Sequence, residues 1–237
     1  MLVKNDLYDY EHRYIYQDSE FFKFSVDSIL LAEFANRDYE NKKILDLCAG
    51  NMAIPLILSK YTDSQIIGFE IQNNVYKLGK QSIDLNNLNQ QLMIINDDVK
   101  NLGKYFVSEY FDIMVCNPPY FKVNDNKVVN NSKELSIARH ELMLTLDDIF
   151  KLARTYLKNK GSIFLVHRVE RLDEIINLGY KYQINVKEIQ FISTKKGEKP
   201  RILLVRAVKN SKSGLKVNSE ICIEDVKSYQ NIFKEKS

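Results

Sequence analysis

The chain is predicted to fold as an α/β domain, doubly wound around one mostly parallel sheet of seven strands, and three observations carry that expectation. Seven strand-like, β-branched runs alternate with amphipathic stretches between residues 43 and 207, so the hydrophobic period switches repeatedly between about 2 and about 3.6 residues. Alternation of this kind places helices on both faces of a parallel sheet. The last two runs follow one another with no helix between them, which allows an antiparallel hairpin at one sheet edge. The length of 237 residues suits one domain of about 200 residues with appendages.

In chain order, the first strand covers 43–47 through Ile44 and Leu45, and a helix-like stretch covers 53–60. A second strand over 65–70 carries Ile66, Ile67 and Phe69 and leads into helical periodicity over 75–86. The third strand is 92–95, and the fourth is the apolar run 112–116 with Ile113, Met114 and Val115. Residues 121–136 crowd Lys, Asn, Asp and Ser together and read as a long surface loop, of the kind that covers substrates. A helix over 144–157, a strand over 162–166 and a helix over 168–178 follow, and strands 186–192 and 202–207 end the series. The domain proper is therefore 43–210, preceded by a segment over 1–42 and followed by an extension over 211–237 that packs on it. No internal repeat or low-complexity tract interrupts the pattern.

Composition narrows the class. The longest apolar runs, such as 54–58, are far below the roughly 20 residues that span a bilayer, and residues 1–18 are charged rather than signal-like. The expectation is a soluble cytoplasmic protein with no membrane partner. Cys48, Cys116 and Cys222 are an odd count without CxxC spacing, which argues against disulfides and against a zinc site, so no metal is expected. A net charge of +3 is too small to diagnose a nucleic-acid partner by itself.

The most informative residues are Asn117, Pro118, Pro119 and Tyr120, at the end of the fourth strand. A buried strand ending in a rigid turn holds one amide beside an aromatic ring, which suits a planar group with an exocyclic amine. Such an amine donates its lone pair to the ring and is a poor nucleophile. The Asn117 oxygen and the Pro118 carbonyl can accept its two N–H bonds and draw the nitrogen towards tetrahedral geometry, while the prolines fix φ and remove donors. Tyr120 can stack on the base, a contact of about 1 to 3 kcal/mol in single-strand recognition. Read alone, Asn-Pro can also be a plain strand-ending turn.

The first strand runs into Asp46, Leu47, Cys48, Ala49, Gly50 and Asn51, a sharp strand-to-helix turn of the kind that cradles a nucleotide cofactor. With one glycine it fails as a dinucleotide fingerprint, because a pyrophosphate needs several close backbone approaches. S-adenosylmethionine has no phosphate and carries a sulfonium cation, so an acidic Asp46 beside one small-residue turn suits it better. Glu70 lies twenty residues past Gly50 at the end of the second strand, followed by Ile71, where a carboxylate can take both ribose hydroxyls. Glu70 can otherwise be a helix N-terminal charge. After the third strand come Asp97, Asp98 and Val99, with Asp98 the better acceptor for the adenine amine and Asp97 able to cap the next helix.

Asp46 to Asn51, Glu70, Asp98 and Asn117 to Tyr120, in this order and spacing, resemble the class I S-adenosylmethionine-dependent methyltransferases of the amino-methylating group, over about two thirds of the chain. That resemblance implies a Rossmann-like fold whose C-terminal β-hairpin distinguishes it from the plain dinucleotide-binding version. The signature is shared by enzymes of adenine N6, guanine N2 and glutamine N5. Gln17, Phe21 to Ser25, Asp27, Leu30, Leu31 and Ala32 look like the segment before the first strand in the bacterial methyltransferases of adenine N6 at position 37 of a valine tRNA. The likeness implies that Gln17, Phe24, Ser25 and Asp27 close over the methionine end of the cofactor, making 1–42 a cover. It extends to Ala138, Arg139, His140 and Glu141, and to 199–206 in the last strand. Arg139 and His140 then hold the loop or a phosphate rather than act as a base, because the amine loses its proton during or after attack. The chain departs from the pattern at Cys48 and Met52, where glycines are common, which bears on how closely the turn backbone approaches the cofactor.

From residue 195 to 216, eight basic residues (Lys195, Lys196, Lys199, Arg201, Arg206, Lys209, Lys212, Lys216) stand against one acidic residue, Glu198. Such a block beside a sheet edge can track an RNA backbone, with Lys122, Lys127 and Lys133 of the covering loop adding charge at the same mouth. It can also be a solvated loop. The expected substrate is an exposed adenine of a tRNA anticodon loop, splayed into a pocket without melting a duplex. The alternatives are a release-factor glutamine N5-methyltransferase, for which about 40 residues before the first strand leave little room for a helical domain, and a non-catalytic RNA-binding protein on the same fold.

Overall fold

The computed structural model describes residues 2–7, 13–18, 26–118 and 144–224. Its centre is a nine-stranded sheet in the order β10-β8-β9-β7-β6-β3-β4-β5, with β11 also paired to β8. The parallel strands are β3 (Lys43–Asp46), β4 (Gln65–Phe69), β5 (Leu92–Ile95), β6 (Phe111–Cys116) and β7 (Leu157–Arg168). β9 (Ile202–Lys209) runs antiparallel to both β7 and β8 (Ile184–Ser193). The expected hairpin therefore forms, but its second strand inserts between β7 and β8. β8 becomes the edge of the seven-stranded core, and the short strands β10 (Lys216–Val217) and β11 (Ile221–Cys222) lengthen that edge.

The strands read as continuous apolar runs because both faces are covered. Side chains alternate between two cores: Ile44, Ile66, Ile113 and Phe164 face α1 (Val26–Ala35) and α2 (Ala53–Leu58), while Leu45, Ile67, Met114 and Leu165 face α4 (Leu146–Tyr156) and α5 (Leu172–Tyr182). α3 (Asn73–Leu85) adds Ile83 to the first core. α4 starts at a capping box, Thr145 accepting from the Asp148 amide while the Asp148 carboxylate accepts from the Thr145 amide.

Two elements start four residues or more away from the sequence reading. β7 begins at Leu157 directly after α4, five residues before 162, with Lys160 at φ 64 and a register shift opposite β6 between Phe111 and Ile113. α5 begins at Leu172, because residue 168 still pairs within β7 and a 3-10 turn, Val169–Arg171, intervenes. Within 1–42, a ribbon of β1 (Leu2–Asp6) and β2 (Tyr14–Asp18) and the helix α1 carry the chain. α1 gives no amphipathic signal because residues 28–35 are all buried, Glu33 included, whose carboxylate accepts from the Tyr61 hydroxyl at 2.9 Å. The ribbon is pinned to α3. The Tyr14 amide donates to Asn86 Oδ1 at 2.9 Å, Asn86 Nδ2 donates back to the Tyr14 carbonyl at 2.7 Å, and the Tyr16 amide donates to Ser82 Oγ at 2.9 Å.

Candidate active site

Strand order locates the site. From β3 the chain winds outward through β4 to β5, then returns to the other side of β3 with β6 and β7, so the switch point lies between β3 and β6. Crevices at the carboxyl ends of such strands are where doubly wound sheets bind ligands. Asp46 pairs with Val115, and the Leu47 amide donates to the Val115 carbonyl at 3.0 Å, so the turn after β3 and Asn117 after β6 are neighbours.

Asp46 is fully buried. Its Oδ1 accepts from the Cys48 amide at 3.2 Å, and its Oδ2 is the one buried side-chain oxygen without a hydrogen-bond partner among the described residues. Burial pushes its carboxyl up to about 7, against the Cys48 N–H and with help from the Glu70 charge. An orphaned, desolvated carboxylate calls for a donor or a cation. An α-ammonium group would satisfy that acceptor by donating to it, and a sulfonium would meet it by charge alone. Above the turn the space is open, since a Cβ on Gly50 (φ 55) would meet nothing within 4 Å.

Glu70 closes the other side. Oε2 accepts from the Gly50 amide at 3.1 Å and Oε1 from the Gln72 amide at 2.7 Å. Burial raises its pKa while these backbone donors lower it. Each oxygen keeps acceptor capacity for a diol, so Glu70 both fixes the turn and offers itself to a ligand. Asn96, which the sequence did not single out, ties the ends of β4 and β5 together by donating to the carbonyls of Glu70 at 2.7 Å and Ile71 at 3.3 Å. Ile71 is exposed and Val99 buried.

Capping falls to Asp98 rather than Asp97. The 3-10 turn Val99–Lys104 starts one residue later than a cap at Asp97 requires, and Asp98 Oδ1 accepts from the Lys100 amide at 2.9 Å. Asp97 is instead held outside the helix start by the Asp98 amide, the Asn101 side chain and the Tyr105 hydroxyl. Those bonds, Asn101 and Tyr105 first, bring its carboxyl down to about 2.

Ala49 and Asn51 are buried in the turn. Asn51 Nδ2 donates to the Tyr16 carbonyl at 3.0 Å, which brings β2, and with it the buried Gln17, against the turn. Cys48 Sγ lies 3.9 Å from Cys116 Sγ, and both thiols are free. Asp27, in the first turn of α1, has its carboxyl pushed up by burial and pulled back by the Arg168 charge. Asn117 is half-buried and donates from Nδ2 to Ser28 Oγ at 3.0 Å, and Pro118 is buried. Phe24, Ser25, Pro119, Tyr120, Lys122, Lys127, Lys133, Arg139 and His140 lie outside the described residues.

The basic block divides. Lys195, Lys196, Lys199 and Arg201 are exposed in the turn between β8 and β9, and β8 runs parallel to β7, so this turn is on the carboxyl edge with Asn117. Three strand spacings separate β8 from β6, about 14 Å. Lys195 has Glu224 at 3.7 Å. β9 then carries the chain about 27 Å to the opposite edge. There Lys209, 3 % exposed, donates to Glu109 at 2.9 Å and to the Leu157 carbonyl at 2.7 Å. Arg206 lies over Phe164, 4.0 Å from Glu188, and Lys216 belongs to β10. The expected continuous block of eight is a cluster of four, with Arg206, Lys209 and Lys216 serving the sheet and Lys212 following β9 at the far edge.

Known proteins agree with this geometry. A tRNA1(Val) (adenine(37)-N6)-methyltransferase of Actinobacillus pleuropneumoniae is 25 % identical over 206 residues, which cover 86 % of this chain and 84 % of that protein. In fold, the chain is similar to a predicted O-methyltransferase from Agrobacterium tumefaciens (TM-score 0.65, 20 % identity, 83 % of this chain and 86 % of that one). It is also similar to the TYW2 protein of M. jannaschii in complex with AdoMet (TM-score 0.55, 16 % identity, 87 % and 84 % covered). The architecture is thus the class I methyltransferase fold. The methyltransferase small domain family matches residues 23–178, a span that takes in the turn after β3, Glu70, Asp98 and Asn117, and the chain belongs to that family.

Proposed function

We propose that the protein transfers the methyl group of S-adenosylmethionine to the N6 amine of adenine 37 in a tRNA anticodon loop, with a valine tRNA as substrate. The observation that carries the proposal is the adjacency of Asn117 to the turn after β3, which sets an amide acceptor beside the cofactor crevice. The cofactor supplies an electrophilic methyl group on a sulfonium. Asp46 faces the positive end of that ligand, Glu70 receives its ribose and Asp98 its adenine. Gln17 and Asp27, with Phe24 and Ser25, cover the methionine end. Asn117 Oδ1 and the Pro118 carbonyl accept the two N–H bonds of the target amine, and Tyr120 stacks on its base. Arg139, His140 and Lys122 hold the substrate strand. Lys195, Lys196, Lys199 and Arg201 reach the RNA backbone at a distance of about 14 Å from Asn117, within the breadth of a nucleic-acid strand and its neighbour.

The printed activity of the Actinobacillus relative supports the substrate, and an extruded loop base suits a pocket at a sheet edge. The departure at Met52 does not oppose catalysis, because its side chain is buried against Gly68 and Gly79 and not over Gly50. Among the described residues no helix is long and apolar enough to cross a membrane and no metal-binding cluster occurs, and we place the protein in the cytoplasm with its tRNA. Incubation with labelled S-adenosylmethionine and tRNA lacking the modification, followed by nucleoside analysis, tests the proposal. Label in N6-methyladenosine is expected; label only in protein, at a glutamine, overturns it.

A further inference from the structure

A side-chain amide has two ends of opposite character, and rotation by half a turn about its last torsion exchanges them within a broad, roughly two-fold well. Only one orientation of Asn117 serves an incoming amine. With Oδ1 presented, the amine N–H finds an acceptor; with Nδ2 presented, two donors face each other. A site that relies on this amide needs its side chain held in place at the crevice.

The described contact at the nitrogen end is Ser28. Asn117 Nδ2 donates to Ser28 Oγ at 3.0 Å, across 89 residues of sequence. Ser28 is 5 % exposed on α1, flanked by Ile29, Leu30 and Leu31 at 0 to 1 % exposure, so its hydroxyl is held by a helix seated in the core. The amide is planar, so anchoring Nδ2 on the α1 side turns Oδ1 away from that helix. Ser28 precedes the apolar run 29–32 and shows no motif of its own. The sequence therefore points to its neighbour Asp27 and passes over it.

We infer that Ser28 is a positioning residue of the reaction: its buried hydroxyl, bonded to the Asn117 amide, holds that side chain at the crevice edge where it meets the target amine. The inference rests on the proposed role of Asn117 but not on the identity of the amine, since an adenine N6 and a glutamine N5 present the same N–H donors. It also makes α1 part of the catalytic assembly, because the helix that covers the cofactor end also sets the amide that receives the substrate.

The test is a double-mutant cycle with Ser28→Ala, Asn117→Ala and the two combined, with Ser28→Thr as the variant that keeps a hydroxyl. Ser28→Ala is expected to lower kcat about tenfold, the scale of one oriented hydrogen bond, while the Kd for S-adenosylhomocysteine stays within about twofold. Ser28→Thr is expected to recover most of the loss. In the Asn117→Ala background Ser28→Ala is expected to cost nothing further, because the group it acts through is gone. Losses that multiply, a change in cofactor affinity alone, or an unaltered kcat in Ser28→Ala would each overturn the inference. If wild-type enzyme labels a protein glutamine instead of tRNA, the substrate assignment fails and the same cycle is run on that protein. A readout free of turnover completes the test. The Asn117 side-chain NH2 in 15N-labelled protein should exchange with water faster in Ser28→Ala than in wild type, and equal rates would overturn the inference.

Discussion

The most telling perturbation is Asp46→Asn, because it separates what this carboxyl costs the fold from what it gives the ligand. A carboxyl whose folded pKa is raised from 3.8 to about 7 favours folding while protonated, so its contribution is full below about pH 4 and is lost as pH rises through 7. At about 1.36 kcal/mol per pH unit, three units amount to about 4 kcal/mol of stability surrendered by the ligand-free protein between pH 4 and pH 8. Asparagine has nearly the same shape and keeps an acceptor for the Cys48 amide, but it replaces the orphaned Oδ2 with a buried NH2, a cost of about 1 to 3 kcal/mol. The variant should therefore be less stable than wild type near pH 4, and more stable at pH 8. Urea unfolding of both proteins across that range, without cofactor, reads the difference. Glu70, also raised by burial, contributes a slope of the same sign to both proteins, and its repulsion with Asp46 adds to the wild-type slope alone. Parallel stability profiles would refute the reasoning, since they would mean that Asp46 titrates as an ordinary carboxylate. With cofactor the ordering should invert. On the proposed role of Asp46, the cofactor's cation loses its counter-charge in the variant, so binding at pH 8 should weaken by at least tenfold, about 1.4 kcal/mol.

Asn117→Ala removes an acceptor for the target amine and should lower turnover at least a hundredfold, about 2.7 kcal/mol, with cofactor affinity nearly intact; near-normal single-turnover rates would remove Asn117 from the chemistry. Glu70→Ala removes a charged acceptor from a ligand diol and from the Gly50 and Gln72 amides, so calorimetry with S-adenosylhomocysteine should show a loss of about 1.5 to 3 kcal/mol, and an unchanged Kd would leave Glu70 a purely structural clamp. Changing Lys195, Lys196 and Lys199 to glutamate should weaken tRNA binding and flatten its dependence on salt, while cofactor binding stays put; a salt slope equal to that of wild type would place the RNA elsewhere.

What the sequence disclosed and what it withheld follow from the range of the interactions concerned. The alternating strands and helices were legible because each is fixed by a period that lies within about ten residues. The places of Asn117 and Glu70 were legible because each follows a strand end, where position along the chain also fixes position on the sheet edge. The helix α1 was not, because a helix buried on every side has no polar face to set a period, and what buries it (α2, β7 and β9) comes later in the chain. The insertion of β9 between β7 and β8 is a choice of partner, which no local pattern encodes. Counting basic residues failed for the same reason. A strand of eight residues lies between Arg201 and Lys212, so neighbours in sequence stand at opposite edges of the sheet.

Met52 gives the sharpest instance of that limit. By sequence it occupies a place where glycine is common and so bears on the approach of backbone to cofactor. In the fold it does adopt a left-handed conformation, φ 72, which costs a side-chain-bearing residue about 1 to 2 kcal/mol. Its side chain, however, turns into the core. A Cβ on Gly68 would stand 2.7 Å from Met52 Sδ, and one on Gly79 would stand 3.1 Å from Met52 Cγ. Two glycines, on β4 and α3, have thus left the volume that the methionine fills, and burying a side chain of that size returns about 1.5 to 3 kcal/mol. The strain in the turn is offset within the turn's own support, and the open space above Gly50 is untouched. The departure from the family pattern is therefore a rearrangement of packing behind the crevice. The surface that lines the crevice is still made by Asp46, Gly50 and Glu70.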